Sequence, residues 1–212
     1  DIVVLDKHQS NLDILSQMYP EVKAVCCDLS VPGDWLNWFD RAHAVVMLQA
    51  QIGGLTYDVF KANNVTATEL ILNAMKQHQV PYLVHISSSV VESVADDFYT
   101  RSKIAQEKMV LESGIDCPIL RPTLMFGWFD RKHLGWLARF MQKVPVFPIP
   151  GNGKFLRQPL FVGDFCNIII SMQHEGCIQS AILLCYHKVI RKLSCKSRYY
   201  SQLLNNIAFQ RV

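Results

Sequence analysis

Tyr99 and Lys103 stand four residues apart in a stretch, 96–113, that reads as a helix, so the two side chains share one helical face. A free phenol with a pKa of about 10 is a poor base at neutral pH. An ammonium one turn away favours the phenolate, which would make Tyr99 a usable proton acceptor or donor. Three serines, Ser87, Ser88 and Ser89, follow the apolar run Tyr82–Ile86, which reads as a strand. A hydroxyl at a strand end can hydrogen-bond a substrate oxygen where charge develops. A Tyr-x-x-x-Lys spacing alone is a weak motif. The serine run ahead of it, within an alternating pattern of strands and helices, gives it weight.

The elements that must hold these residues follow from the hydropathy pattern. Short apolar runs at 2–5, 22–27, 44–48, 82–86, 118–120 and 160–162 alternate with amphipathic stretches at 10–18, 57–78, 96–113, 133–142 and from 164 onward. This is the rhythm of a parallel sheet covered on both faces by helices. Gly114 is placed to end the helix that carries Tyr99 and Lys103. A Pro- and Gly-rich loop spans 145–153, and no internal repeat is visible.

Half of the 212 residues are hydrophobic and 18% are charged, as in a well-buried soluble α/β protein. All 18 acidic residues lie at or before Glu175, and six of the 21 lysines and arginines follow it. Residues 1–175 therefore carry a formal charge of −3 and the acid-free tail +6. The seven cysteines are scattered without the spacing of a zinc site, so no metal is expected, and reduced, mostly buried thiols in a cytoplasmic protein are. There is no secretory pattern at the first residues and no run of ~18 apolar residues, so neither a membrane nor a nucleic-acid partner is expected.

With these residues in view, the chain resembles the extended and atypical short-chain dehydrogenases/reductases, specifically the NAD-dependent epimerase/dehydratase family, over about residues 1–175. Ile2-Val-Val-Leu-Asp6 is similar to the family's second strand, whose terminal acid holds the adenosine ribose. Cys27-Asp28-Leu29 is similar to the third-strand motif at the adenine. Val46-Met-Leu-Gln-Ala50 resembles the fourth strand and the turn facing the cofactor. Asn64-Val-Thr-Ala-Thr68 resembles the NVxGT helix segment with Ala67 for glycine. Ile86-Ser-Ser-Ser89 matches the strand-five serines, with Ser89 best fitting the catalytic position. Leu120-Arg-Pro122 and Phe126-Gly127 match the RPxxxYG run with Phe126 for tyrosine. Gly151-Asn-Gly153, Arg157 and Phe161-Val-Gly-Asp164 resemble the segment in which nucleotide-sugar enzymes place an arginine on the diphosphate.

The resemblance implies a doubly wound, Rossmann-like parallel sheet with the start of a substrate-binding region. It implies an incomplete NAD-binding domain over 1–145, a substrate region beginning over 146–175, and an atypical basic tail over 176–212. Tyr99 would move the proton, Lys103 would depress the Tyr99 pKa and hold the nicotinamide ribose, and Ser89 would orient the substrate oxygen. Asp6, Asp28, Leu29, Ala50, Asn64, Ser87 and Pro122 would complete the cofactor site, and Ser89 and Arg157 would meet the substrate. Asp6 favours NAD over NADP, because a carboxylate repels a 2′-phosphate, and Lys7 and His8 beside it weaken that preference. The implied substrate is a nucleotide-sugar. The alternatives are an NAD(P)-dependent reductase of another carbonyl and a non-catalytic dinucleotide-binding protein. A homodimer through the stretches at 57–78 and 96–113 is also implied.

Two departures shape these expectations. The sequence opens at what resembles the second strand, so the first strand and its glycine-rich phosphate loop are expected to lie outside it. That loop holds the pyrophosphate and that strand is central, so an N-terminally truncated sheet with a gap and weak dinucleotide binding are expected. The tail beyond Gly176 does not resemble the family's substrate domain and reads as non-native. A basic tail that binds an acidic partner is the lesser reading. Among individual residues, Asp6 and Asp28 could equally be solvent-facing strand ends or helix caps. His85 reads as a hydrogen-bonded core histidine, Cys26 and Cys27 as core residues of a buried strand, and Trp128, Phe129, His133 and Trp136 as either a pocket wall or an aromatic packing patch.

Overall fold

The computed structural model describes residues 1–128, 130, 134–146, 151, 152, 154, 156–174 and 182–184. The chain divides into two compact units, the first comprising Asp1–Ile119 and the second beginning at Leu120.

The first unit is built on parallel strands. β1 (Val3–Asp6) pairs in parallel with β2 (Lys23–Cys26), with Val3 opposite Lys23 and Asp6 opposite Cys26. β3 (Ala44–Met47) pairs in parallel with β4 (Tyr82–Ile86), with Met47 opposite His85. The segment leading into β5 (Ile119–Arg121) lies on the other edge of β4, where Leu83 N donates to Asp116 O and His85 N to Pro118 O, both at 3.0 Å. The β1–β2 and β3–β4 ladders belong to separate sheets. Helices make the crossovers that parallel pairing requires. They are α1 (Gln9–Met18), the run α2 (Tyr57–Phe60), π segment (Lys61–Thr66) and α3 (Ala67–Gln77), and α4 (Phe98–Glu112). Parallel strands joined by helical crossovers make this a Rossmann-like α/β fold.

The core follows from helical periodicity. Ile71, Leu72, Ala74 and Met75 of α3 share one buried cluster with Met47, Leu83, Val110 and Ile119. Trp35 and Phe39, from a short 3-10 turn at Asp34–Phe39, close the same cluster. Two features lay beyond the sequence pattern. The continuous helix read over 57–78 contains a π-helical turn, which widens the helix at Lys61–Thr66. Cys26 is exposed and Cys27 only half-buried, which corrects the core reading of both: among the described residues β2 pairs with β1 alone, and Cys26 sits at the strand's end.

α4 ends where expected. Gly114 follows the helix at φ +74°, and a Cβ there would meet nothing within 4 Å, so the glycine is needed for its backbone angle rather than for space. In the second unit, β6 (Leu124–Phe126) pairs in parallel with β7 (Pro159–Phe161), and α5 (Leu134–Met141) and α6 (Val162–His174) accompany them. Gly127 sits at φ +127°, and a Cβ there would come within 2.8 Å of the Phe161 ring and of Val162. Among the described residues no helix is long and apolar enough to cross a membrane.

Candidate active site

The N-terminal half of α4 gathers the buried polar groups of the first unit. Asp97 starts the helix, its carboxylate accepting from Thr100 N at 2.8 Å, and this fixes Tyr99 in the first turn. The buried face of α4 is then Thr100, Ser102, Lys103, Gln106, Glu107 and Val110, five polar residues and one threonine-sized aliphatic. Such a face is stable only if its groups find partners.

Tyr99 is half-buried and shares a side-chain hydrogen bond with Ser88 at the end of β4. Burial pushes its pKa above the ordinary phenol value, the Ser88 hydrogen bond partly offsets this, and the charge of Asp97 adds to the rise. Lys103 is fully buried, and its Nζ donates to Ile86 O at 3.0 Å and to Gln106 Oε1 at 2.5 Å. Burial lowers its pKa to about 8, and the neighbouring Glu107 charge opposes that fall. Glu107 is itself buried and accepts from Ser87 Oγ at 2.6 Å. The expectation that Lys103 would depress the Tyr99 pKa is therefore corrected. The phenol stands above its ordinary value, because the ammonium is turned toward Ile86 and Gln106 and the phenol is desolvated.

The three serines separate by role. Ser87 is buried and committed to Glu107. Ser88 meets Tyr99 and also accepts from Val90 N at 3.4 Å. Ser89 opens a 3-10 turn at Ser89–Glu92 and is half-buried. The structure thus brings Ser88, rather than Ser89, to the phenol.

His85 is buried on β4, but neither ring nitrogen has a hydrogen-bond partner among the described residues, so it is a core histidine without the partners expected of it. Burial first, and then the charge of Lys103, hold its pKa well below the ordinary value, so the ring is neutral. Asn64, turned inward by the π segment, is also fully buried. It accepts from Gln51 N at 2.7 Å and donates to Gln51 O at 3.1 Å and to Ser102 Oγ at 2.8 Å. It thereby clamps the loop after β3 onto α4, and Ala50 lies exposed on that loop.

At the ends of β1 and β2 the two acids organise turns. Asp6 accepts from His8 N at 2.8 Å and from Asn11 Nδ2 at 3.1 Å, while Lys7 Nζ reaches Asn63 Oδ1 at 2.5 Å. Asp28 accepts from both the N–H and the hydroxyl of Ser30, at 2.8 and 2.6 Å, and these bonds lower its pKa. A groove of about 360 Å³ opens beside Asp28, lined by Cys27, Val31, Trp35 and Trp38 among others. Leu29 packs on the core. In the second unit Pro122 is buried and Arg157 exposed. Trp128 meets Phe161 edge-on at 5.7 Å and Trp136 stacks on Phe140 at 5.3 Å, so both indoles have aromatic neighbours within that unit. Gly153, Phe129, His133 and the tail apart from 182–184 lie outside the described residues.

Residues missed from the sequence are Gln106 and Glu107. Their signal was available: on a helix that must bury one face, the positions three and four beyond Lys103 are polar.

The model of the NAD dependent epimerase/dehydratase family matches residues 1–177. Among solved structures, the UDP-glucuronic acid 4-epimerase from Bacillus cereus in complex with NAD superposes with a TM-score of 0.73 at 18% identity, covering 85% of this chain and 68% of that one. MoeE5 in complex with UDP-glucose and NAD gives a TM-score of 0.68 at 21% identity, covering 86% and 75%. A curated relative, the mitochondrial NADH dehydrogenase [ubiquinone] 1 alpha subcomplex subunit 9 of Arabidopsis thaliana, is 28% identical over 110 residues. That match takes in 52% of this chain and 27% of the relative's length.

Proposed function

Because the chain belongs to the NAD-dependent epimerase/dehydratase family, we propose that it serves oxidoreductase chemistry at a carbon bearing a hydroxyl or carbonyl, with a nucleotide-sugar as substrate and Tyr99 as the proton-transferring group. The observation that carries this reading is the half-buried Tyr99 phenol, hydrogen-bonded to Ser88 at a strand end, with Lys103 one turn further along the same helix.

The residues present suit the adenosine half of a dinucleotide. Asp6, at the carboxyl end of β1, has its carboxylate held in place by two donors and remains near the surface, as a ribose-binding acid requires. The groove beside Asp28 has two indoles and room for a planar base. Both lie at the carboxyl ends of parallel strands, where open α/β sheets bind their ligands. When bound, the nicotinamide ring supplies the hydride acceptor and donor. The chain's own residues handle the proton. A phenol held above its ordinary pKa is protonated at neutral pH, so Tyr99 is set to donate to a carbonyl oxygen as it becomes a hydroxyl, and to take that proton back in the reverse direction. Ser88 orients Tyr99, and Ser88 or Ser89 orients the substrate oxygen. Arg157 is the residue offered to a diphosphate.

The test uses the full chain with NAD⁺ and UDP-glucose or UDP-glucuronic acid. Transient NADH absorbance followed by sugar inversion without net cofactor consumption is the expected result for an epimerase. Net NADH accumulation points to a simple dehydrogenase or reductase. Tyr99→Phe should slow the reaction by roughly 10²–10⁴-fold with an unchanged melting temperature. Equal rates in wild type and Tyr99→Phe would remove Tyr99 from the mechanism.

A further inference from the structure

Gln106 has no place in the proton transfer just described, yet it is fully buried and touches the one ammonium at its centre. We propose that Gln106 is a positioning residue that tethers the Lys103 ammonium to the carboxyl end of β4, and so governs how much of that charge is available to Tyr99 and to a bound cofactor. The proposal rests on the reading of Tyr99 and Lys103 as the working pair.

The tether has a defined polarity. Thr68 Oγ1 donates its single proton to Asn64 O at 2.7 Å, so toward Gln106 it can only accept. Gln106 Nε2 fills that role at 2.8 Å. The carboxamide oxygen is thereby turned to the other side, where it accepts from Lys103 Nζ at 2.5 Å. Ile86 O takes a second proton of the ammonium at 3.0 Å. Both acceptors hold Nζ in the interior, at Ile86 of β4 and Gln106 of α4, while the Tyr99 hydroxyl is held by Ser88. The two halves of the pair thus have separate anchors, and Gln106 is the side-chain anchor of one of them.

Packing alone does not call for a carboxamide at this position. An aliphatic side chain of the same length would fill the space between α3 and α4 without the cost of burying an amide. What the amide adds is an oriented dipole whose negative end faces a buried cation. That dipole favours the charged form of Lys103, against the burial that lowers its pKa to about 8. The titratable groups around Lys103 are Glu107 and Tyr99 on its own helix and His85 on β4. The facing helical run contributes Asn64 and Thr68, which do not titrate.

The experiment is an NMR titration of the Lys103 side chain in the full chain labelled at lysine, assigned by loss of the signal in Lys103→Met, with no cofactor present. Gln106→Met should lower the Lys103 midpoint by about one unit, and Gln106→Glu should raise it by at least about as much. A residue with a merely structural role would change the melting temperature in both variants without moving the midpoint in opposite directions. Unmoved midpoints in the folded variants overturn the tether. Should Gln106→Met fail to fold, Gln106→Glu decides alone, since an unmoved midpoint there is equally fatal. Because the titration needs no turnover, opposed midpoints in a chain that never reduces NAD⁺ uphold the tether and sink the active-site reading instead.

Discussion

The layer between α3, α4 and the β3–β4 ladder has two halves that differ sharply in chemistry. Near the start of β4, Leu83 belongs to one cluster with Met75, Leu72 and Val110, all buried and apolar. Near its carboxyl end, the same strand and helices present His85, Ser87, Lys103, Gln106 and Glu107, just as deeply buried, and all but the His85 ring are held by side-chain hydrogen bonds. α4 runs from the polar half, at Thr100, to the apolar half, at Val110. The difference teaches that burial has two uses here. One half supplies the hydrophobic free energy that holds the layer together. The other uses the same exclusion of water to shift ionisation, lowering Lys103 and His85 and raising Tyr99.

The sharpest way to break this division is to damage the apolar half alone. Leu83→Ala should cost ~2–5 kcal/mol of stability in urea unfolding, because a fully buried side chain leaves a cavity. The Lys103 titration midpoint in the folded protein should stay where it was; if it moves with the cavity, the two halves are not separable.

The polar half should show itself in the pH dependence of stability. Lys103 titrates near 8 when folded and near the ordinary lysine value of 10.5 when unfolded. Between those values the unfolded chain binds the extra proton, so this group makes stability rise with pH, by roughly 3 kcal/mol over the window. Cys117, pushed up to about 12 by burial, and the raised tyrosines Tyr82 and Tyr99 act the other way, because the folded state keeps their protons longer. The difference between wild type and Lys103→Met, measured by urea unfolding from pH 7 to 10, isolates the lysine contribution. A flat difference would mean that Lys103 is better solvated than its burial indicates.

The smallest effect is expected at the helix start. Asp97→Ala removes the cap on Thr100 N and should cost ~1 kcal/mol. It also removes a charge that raises the Tyr99 pKa, so the phenol should titrate at lower pH in ultraviolet difference spectra. A stability loss without that spectral shift would confine Asp97 to capping.

Much of the fold was legible because its signals are local. The strand at Tyr82–Ile86, the helix around Tyr99 and Lys103, and the stop at Gly114 all follow from hydropathy period and from backbone angles that particular residue types favour. β6 was not read, because Leu124–Phe126 is short and set close between Pro122 and Gly127, residue types that mark loops. The π turn escaped for a different reason. It is set by where Asn64 must reach to clamp Gln51 and Ser102, a requirement that exists only once the β3 loop and α4 are in place.

The same line divides the site. Sequence by itself determined that a tyrosine and a lysine share a helical face beside a strand ending in serines, since i and i+4 meet on any α-helix. Only tertiary structure decided that Ser88 takes the phenol, that Ser87 turns to Glu107, and that Lys103 points to Ile86 and Gln106. Spacing says which side chains can share a face. Which partner a buried charge chooses depends on the acceptors that packing brings within 3 Å, and on how completely water has been excluded from around them.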